Sequence, residues 1–547
     1  MSWPDHPDLT AWLRAPAADR GVRFAHRDGW DHWSYPRLAG LTRRFAATYR
    51  SMRIGDGDVV ALLLGTGPEF VAAFYAAAVV GAAAAPVAPP PLFGDDGEHS
   101  ARIAAALRTA TPAVVVTGAR HRAHAAALPT VIAEELLAER NEEGASTGVA
   151  VPHDSARIAL VQFTSGSVAA PRGIRVPCSA LTTTISQLGT WLGHTPELAT
   201  ASWLPLHHDM GLVGCLLSPI AHSADLWLLP TEEFIRRPSR YLRCFGEHGA
   251  ALSAMPAFGL EHVAARVRPR DLDACDFSPW RVLIVGAERV AAGALRRFGD
   301  LLRPYGFDPA AIVPAYGLAE ATLAVTGTPM LRGWRSVTAD PATLVPGSRV
   351  REGPRRGTEI VSSGPPLAPT RVRVVDDDGH AVNEGVVGEI VVESPTVAAG
   401  YTAGQGIAGS RLDGATLHTG DAGFLLDGEL YVLGRLGDAM KLRGRTVLAE
   451  ELEAGLAEGG SRPVIALGPR AGEPVLLAVV GATEPAERVR DIRAVLARVG
   501  EGAEVAVRRV PAARIPRTTS GKPRRRELFR RFLAGELDEV AGTYPIS

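Results

Sequence analysis

The chain is poor in most of the features that settle a protein class at once. Four cysteines occur in 547 residues. Cys178, Cys215, Cys244 and Cys275 lie far apart with no Cys-x-x-Cys pair, which argues against a disulfide frame or a thiolate zinc site and for buried reduced thiols. Neither sign of charge is in excess. The 58 Lys+Arg against 59 Asp+Glu give a net charge of −1, so general nucleic-acid binding has no support. Long apolar runs are lacking as well. The longest, Phe70 to Ala85, is mostly alanine, stops at Pro86 and is too short to span a membrane comfortably, so it reads as a buried helix. Met1 to Arg20 has no basic head followed by an apolar core; no secretory signal is expected, and the expected location is cytoplasmic. The Gly-x-x-x-x-Gly-Lys-Ser/Thr phosphate loop is absent too.

What is present begins with Thr164-Ser165-Gly166-Ser167-Val168-Ala169-Ala170-Pro171-Arg172-Gly173. It follows an apolar run, Ile158 to Phe163, that reads as a buried strand. Gly166 and Gly173 permit close approach, and such a turn lets backbone N–H groups point into one space. The hydroxyls add donors and Arg172 adds a fixed cation, a combination suited to a polyphosphate. Alone, the ten residues fit an ordinary Gly/Ser turn equally well.

The downstream series decides between these. Trp203-Leu204-Pro205-Leu206-His207-His208-Asp209-Met210-Gly211-Leu212 comes next, then Tyr316-Gly317-Leu318-Ala319-Glu320-Ala321-Thr322. Thr419-Gly420-Asp421, Gly434-Arg435 and Pro516-Arg517-Thr518-Thr519-Ser520-Gly521-Lys522 complete it. In this order and spacing the series resembles the adenylate-forming superfamily, and the fatty acyl-AMP ligases most. The likeness runs from about Trp33 to the C-terminal helix.

The chain between the motifs reads as α/β. Asp58 to Leu64 is expected as a strand, Glu69 to Gly81 as a helix and Ala113 to Thr117 as a strand; the alternation argues for parallel sheets with covering helices. Val282 to Gly286 is a buried strand ending in glycine, and ligands in such sheets lie beyond the carboxyl ends of strands. Leu331 to Ser363 is polar, with little periodicity. Thr370 to Asp376, Gly388 to Glu393 and Glu429 to Leu433 alternate like strands of a small β subdomain. The expected organisation is a large domain over 1–434, a hinge at 435–438 centred on Gly437, and a small mobile α/β domain over 439–547. Arg524, Arg525, Arg526, Arg530 and Arg531 form a charge run, expected either as a solvated face or as a dock for an acidic carrier protein.

The resemblance implies roles. Thr164, Ser165, Gly166, Ser167 and Arg172 would hold the phosphates of ATP. Gly286, Ala287 and Glu288 would sit beside adenine, and Tyr316, followed by Gly317, would stack on it. Glu320, on one short helical turn with Tyr316, would carry magnesium. Asp421, following a turn, would accept the ribose hydroxyls, and Arg435 would bind ribose or phosphate. His208 would orient the reacting carboxylate, with no third ligand to make the histidine pair a metal site. Lys522 would supply charge to the first half-reaction. The implied chemistry joins a carboxylic acid to ATP as an acyl-adenylate, releases pyrophosphate, and passes the acyl group to the phosphopantetheine thiol of an acyl carrier protein. Leu331 to Ser363 falls where fatty acyl-AMP ligases carry an insertion, which favours that branch over acid–CoA ligases. Two departures stand out: Val168 and Ala169 replace the usual Thr and Gly of the loop. An acid–CoA ligase and a nucleotide-binding regulator without turnover are the alternatives.

Overall fold

The apolar run Phe70 to Val79 lies within the helix Pro68–Val80 and is buried on every side, the pattern of a core helix. Gly81 ends it at φ 93°, a left-handed cap that suits glycine. The chain then enters the strand Ala83–Pro86. The computed structural model describes residues 9–90, 96–125, 128–138, 155–164, 171–353, 357–402, 410–442, 445–456, 463–470, 473–500, 503–517 and 523–537.

Two large sheets carry the first half of the chain. The six-stranded one runs Thr130–Ile132, Val114–Thr117, Val59–Leu63, Ala83–Pro86, Ile158–Thr164, Arg172–Pro177. It is parallel except for the last pair, an antiparallel hairpin that sets Thr164 opposite Arg172. The eight-stranded one has a parallel centre, with Leu252–Pro256, Val282–Gly286 and Ile312–Gly317 side by side. Strands buried on both faces read as unbroken apolar runs, which is why Val282 to Gly286 stood out in sequence. Thr130–Ile132 did not: three residues give too little pattern.

A five-stranded antiparallel sheet follows, built from Arg371–Val375, Gly388–Glu393, Arg411–Asp413, Thr416–Leu426 and Glu429–Arg435. The polar segment Leu331 to Ser363 is more ordered than its sequence implies. Ser336–Ala339 pairs with Thr358–Val361, and Ala339, Leu344 and Ile360 are buried against Phe424, Tyr431 and Leu448.

Beyond residue 439 the strands Val464–Arg470, Glu473–Gly481 and Glu504–Val510 form a further sheet. The helix Ala486–Val499 packs through Ile492 and Leu496 into one apolar cluster. The helix Arg525–Leu533 packs through Leu528, Phe529 and Phe532 into another. The described cysteines are free thiols, Cys215 and Cys244 fully buried. Among the described residues no helix is long and apolar enough to cross a membrane.

Candidate active site

The parallel strands of the eight-stranded sheet deliver Pro256, Gly286 and Gly317 at their carboxyl ends, and there one cleft of about 670 Å³ opens. Arg172, His208, Gly286, Ala287, Glu288, Tyr316, Gly317, Glu320, Asp421, Arg435 and Gly437 all line it. Thr164 ends the strand that leads to it. Ser165, Gly166, Ser167, Val168, Ala169 and Lys522 lie outside the described residues.

Local backbone explains several of these positions. A Cβ at Gly317 would stand 2.0 Å from the Leu323 carbonyl oxygen, so only glycine lets the strand turn back on itself. Ala287 and Thr322 hold φ of 67°, a conformation that costs a non-glycine residue of order 1–3 kcal/mol and tends to cluster at functional sites. Glu288 accepts from the Phe258 backbone N–H at 2.8 Å, tying its loop to the helix Ala257–Arg266.

Two expectations about geometry are corrected. Tyr316 and Glu320 do not share a helical turn. Tyr316 ends the strand Ile312–Gly317, and Glu320 sits in the 3₁₀ turn Ala319–Ala321. Asp421 does not follow a turn either; it lies inside the strand Thr416–Leu426, directly opposite Arg435. There it accepts from the Tyr316 hydroxyl at 2.6 Å and pairs with Arg435 Nε at 3.0 Å. These three side chains form one fixed unit.

Glu320 is 3% exposed. Burial raises its pKa, with the Arg435 charge opposing. Its Oε1 accepts from the Tyr401 hydroxyl at 3.3 Å. A buried carboxylate with no cation in direct contact among the described residues suits a hard divalent ion, for which oxygen donors are preferred.

His208 precedes the π-helix Met210–Leu217, a rare form often found at functional sites. Its Nδ1 lies 2.7 Å from Asp209 Oδ1. Gln162 donates to the His207 carbonyl at 2.8 Å and ties this loop to the strand Ile158–Thr164. His208, not His207, lines the cleft.

Sequence reasoning missed the mouth. Arg525 was part of a charge run, yet its side chain is 11% exposed and meets Asp438, Glu450 and Glu453 at 3.4, 3.2 and 2.9 Å. Arg526 reaches the Gly437 carbonyl, and Arg530 and Arg531 pair with Glu527. Arg525 is therefore internal, while Arg526 and Arg530, 47% and 65% exposed on their side chains, stay on the solvated face that the run implied. The i,i+3 and i,i+4 spacing from Glu527 signalled the last two pairs; nothing local signalled the first. Gly437 itself lies in the 3₁₀ turn Leu436–Asp438.

Parallel sheets, a cleft at strand ends and a fixed Tyr–Asp–Arg unit beside a buried carboxylate define a ligase that activates carboxylic acids as adenylates. Residues 12–402 match the AMP-binding enzyme family. The chain belongs to that family, within the adenylate-forming superfamily. It is 31% identical to the 4-hydroxyphenylalkanoate adenylyltransferase of Mycobacterium tuberculosis, over 93% of this chain and 87% of that one. It is 30% identical to the long-chain-fatty-acid–AMP ligase FadD26 of Mycobacterium marinum, over 87% of each. It superposes on a structure from work on the fatty acyl-adenylate ligases of E. coli and L. pneumophila with a TM-score of 0.87 and 29% identity, covering 98% of this chain and 100% of that one.

Proposed function

We propose that this enzyme forms an acyl-adenylate from ATP and a carboxylic acid and passes the acyl group to a carrier-protein phosphopantetheine. One observation carries the assignment of roles: a single cleft gathers Arg172, His208, Tyr316, Glu320, Asp421 and Arg435 from five separate stretches of chain. In this reading the Asp421 carboxylate and the Arg435 guanidinium hold the ribose and its phosphate, with Tyr316 fixing Asp421 from behind. Gly286, Ala287 and Glu288 border adenine. Thr164, Ser165, Gly166 and Ser167 meet the outer phosphates with Arg172. Glu320 holds magnesium, which when bound neutralises charge on the triphosphate.

The substrate carboxylate attacks the α-phosphorus, and the bond to pyrophosphate breaks. Two anions must approach, so positive charge placed in advance lowers the barrier. Arg172 and Lys522 supply it, and no base is required, because the nucleophile is already ionised. His208, held by Asp209, orients the carboxylate. A large domain of 1–434 and a small one of 439–547 would then move about Gly437 to exchange Lys522 for the thiol.

The segment 331–363 supports a carrier protein over CoA. Its Ile360 and Leu344 share an apolar cluster with Leu448, beyond the hinge turn, and the segment falls where fatty acyl-AMP ligases carry their insertion. ATP–pyrophosphate exchange across fatty and aryl acids tests the first step. Acyl transfer to a holo carrier protein, with little to CoA, tests the second; efficient CoA thioester formation without carrier labelling would make the protein an acid–CoA ligase.

A further inference from the structure

The inner end of the same cleft is not uniformly apolar. The cleft continues along the sheet from Gly286 back to Val282, about 13 Å for four residues at ~3.3 Å each. Its walls there are Leu188, Trp191 and Leu192 of the helix Cys178–Leu192 and, across from them, Leu252 and Val282. Trp191 is fixed by its Nε1 donating to the Thr328 carbonyl at 3.0 Å. These walls fit an acyl body.

Two polar side chains close this end. Thr200 stands beside Leu252, which stands beside Val282, at the amino ends of their strands. It is 3% exposed, and its Oγ1 has no hydrogen-bond partner among the described residues. His194 follows the helix after its cap Gly193 and is 7% exposed. Its Nδ1 meets Ser218 Oγ at 3.2 Å, and its ring packs edge-on against His222 with centroids 4.9 Å apart. Ser218 and Asp225, whose carbonyl accepts from the Thr200 N–H, belong to one short stretch of chain. Both side chains line the cleft.

We infer that the acid this enzyme activates carries a hydroxyl at the end far from its carboxylate, and that His194 and Thr200 receive it. A methyl-terminated acid would leave the Thr200 hydroxyl buried and unpaired and would offer the His194 ring nothing to accept. Each unpaired buried group lowers binding on the order of tenfold, whereas a hydroxyl can donate to one and accept from the other. The ring is suited to accept: burial pushes the His194 pKa down to about 3, so it is neutral at neutral pH.

The inference rests on the acyl-adenylate reading, and its test separates the two. Adenylate formation is measured with length-matched pairs: alkanoates against ω-hydroxyalkanoates, and phenylalkanoates against their para-hydroxy forms. The hydroxylated member of the favoured pair should win by about tenfold or more in kcat/KM. Thr200→Val and His194→Leu should each cut that ratio at least about threefold, and Thr200→Ser should keep it. A wild-type ratio of one or below, or a ratio that both variants leave intact, overturns the inference. Thermal-shift titration with the same acids runs in parallel. Tighter binding of hydroxylated acids with no adenylate formed would sustain the inference and overturn the activation reading. Equal binding of both members would sink the inference even if the variants misfold.

Discussion

The two ends of the cleft are built on opposite principles. At the mouth, charges hold one another: Tyr316, Asp421 and Arg435 in one unit, and Arg525 with Asp438, Glu450 and Glu453 in another. At the inner end, Leu188, Leu252 and Val282 give shape, and Thr200 Oγ1 has no hydrogen-bond partner among the described residues. Buried charge is tolerated only when paired, so the mouth is already complete as a network and binds by offering that network to a charged ligand. The inner end is incomplete, and binds by being filled.

The largest effect should come from breaking the mouth. Glu453 is 4% exposed on its side chain and pairs with Arg525 at 2.9 Å. Removing one member of such a buried pair typically costs about 3–5 kcal/mol. Arg525→Ala should therefore lower the unfolding free energy measured by urea titration by that amount. A loss below about 0.5 kcal/mol would show the network to be no more than a surface ion pair.

Next is Lys522, which we assign to the first half-reaction. Loss of a charge aimed at the transition state costs roughly 2.7–4 kcal/mol, about 10²–10³ in rate. Lys522→Ala should fail in pyrophosphate exchange, yet pass the acyl group from synthetic acyl-adenylate to the thiol. Equal losses in both half-reactions would refute the assignment.

Asp421 comes third. Asp421→Asn keeps the shape but weakens two charge-assisted hydrogen bonds, each worth about 1.5–3 kcal/mol. The KM for ATP should rise about tenfold to a hundredfold with little change for the acid. A larger change for the acid would move Asp421 out of the nucleotide half.

How far the sequence disclosed this arrangement depends on contiguity. Val282 to Gly286 and Tyr316 to Glu320 were legible because strand, turn and functional side chains follow one another within a few residues. The Glu320–Tyr401 contact was not, since Tyr401 arrives through an isolated bridge with Ile174. Arg525 was misread for the same reason: its partners lie 72 to 87 residues away. The hairpin Ser336–Ala339 with Thr358–Val361 was hidden by half-buried faces that blur alternation. Thr200 and His194 carried no signal, because a buried polar group is visible only once its surroundings are.

The smallest effect probes the inner end through acid stability. His194 titrates near 6.5 when unfolded, and burial holds it at about 3 in the folded chain. Between those values the unfolded chain binds one more proton, so stability falls as pH falls. The contribution is complete above about pH 6.5 and declines by about 1.4 kcal/mol per unit below it. At about pH 5.5 the wild type should have lost about 1.4 kcal/mol from this group alone. His194→Leu removes the titration, so its stability–pH curve should be flatter by that amount over the interval, whatever its stability at neutral pH. Urea midpoints measured at both pH values give the slope. Parallel curves would mean that His194 titrates in the folded chain as it does unfolded, near 6.5. Below that pH the inner end would then present a cation, a lining suited to an acid with a second carboxylate rather than a hydroxyl.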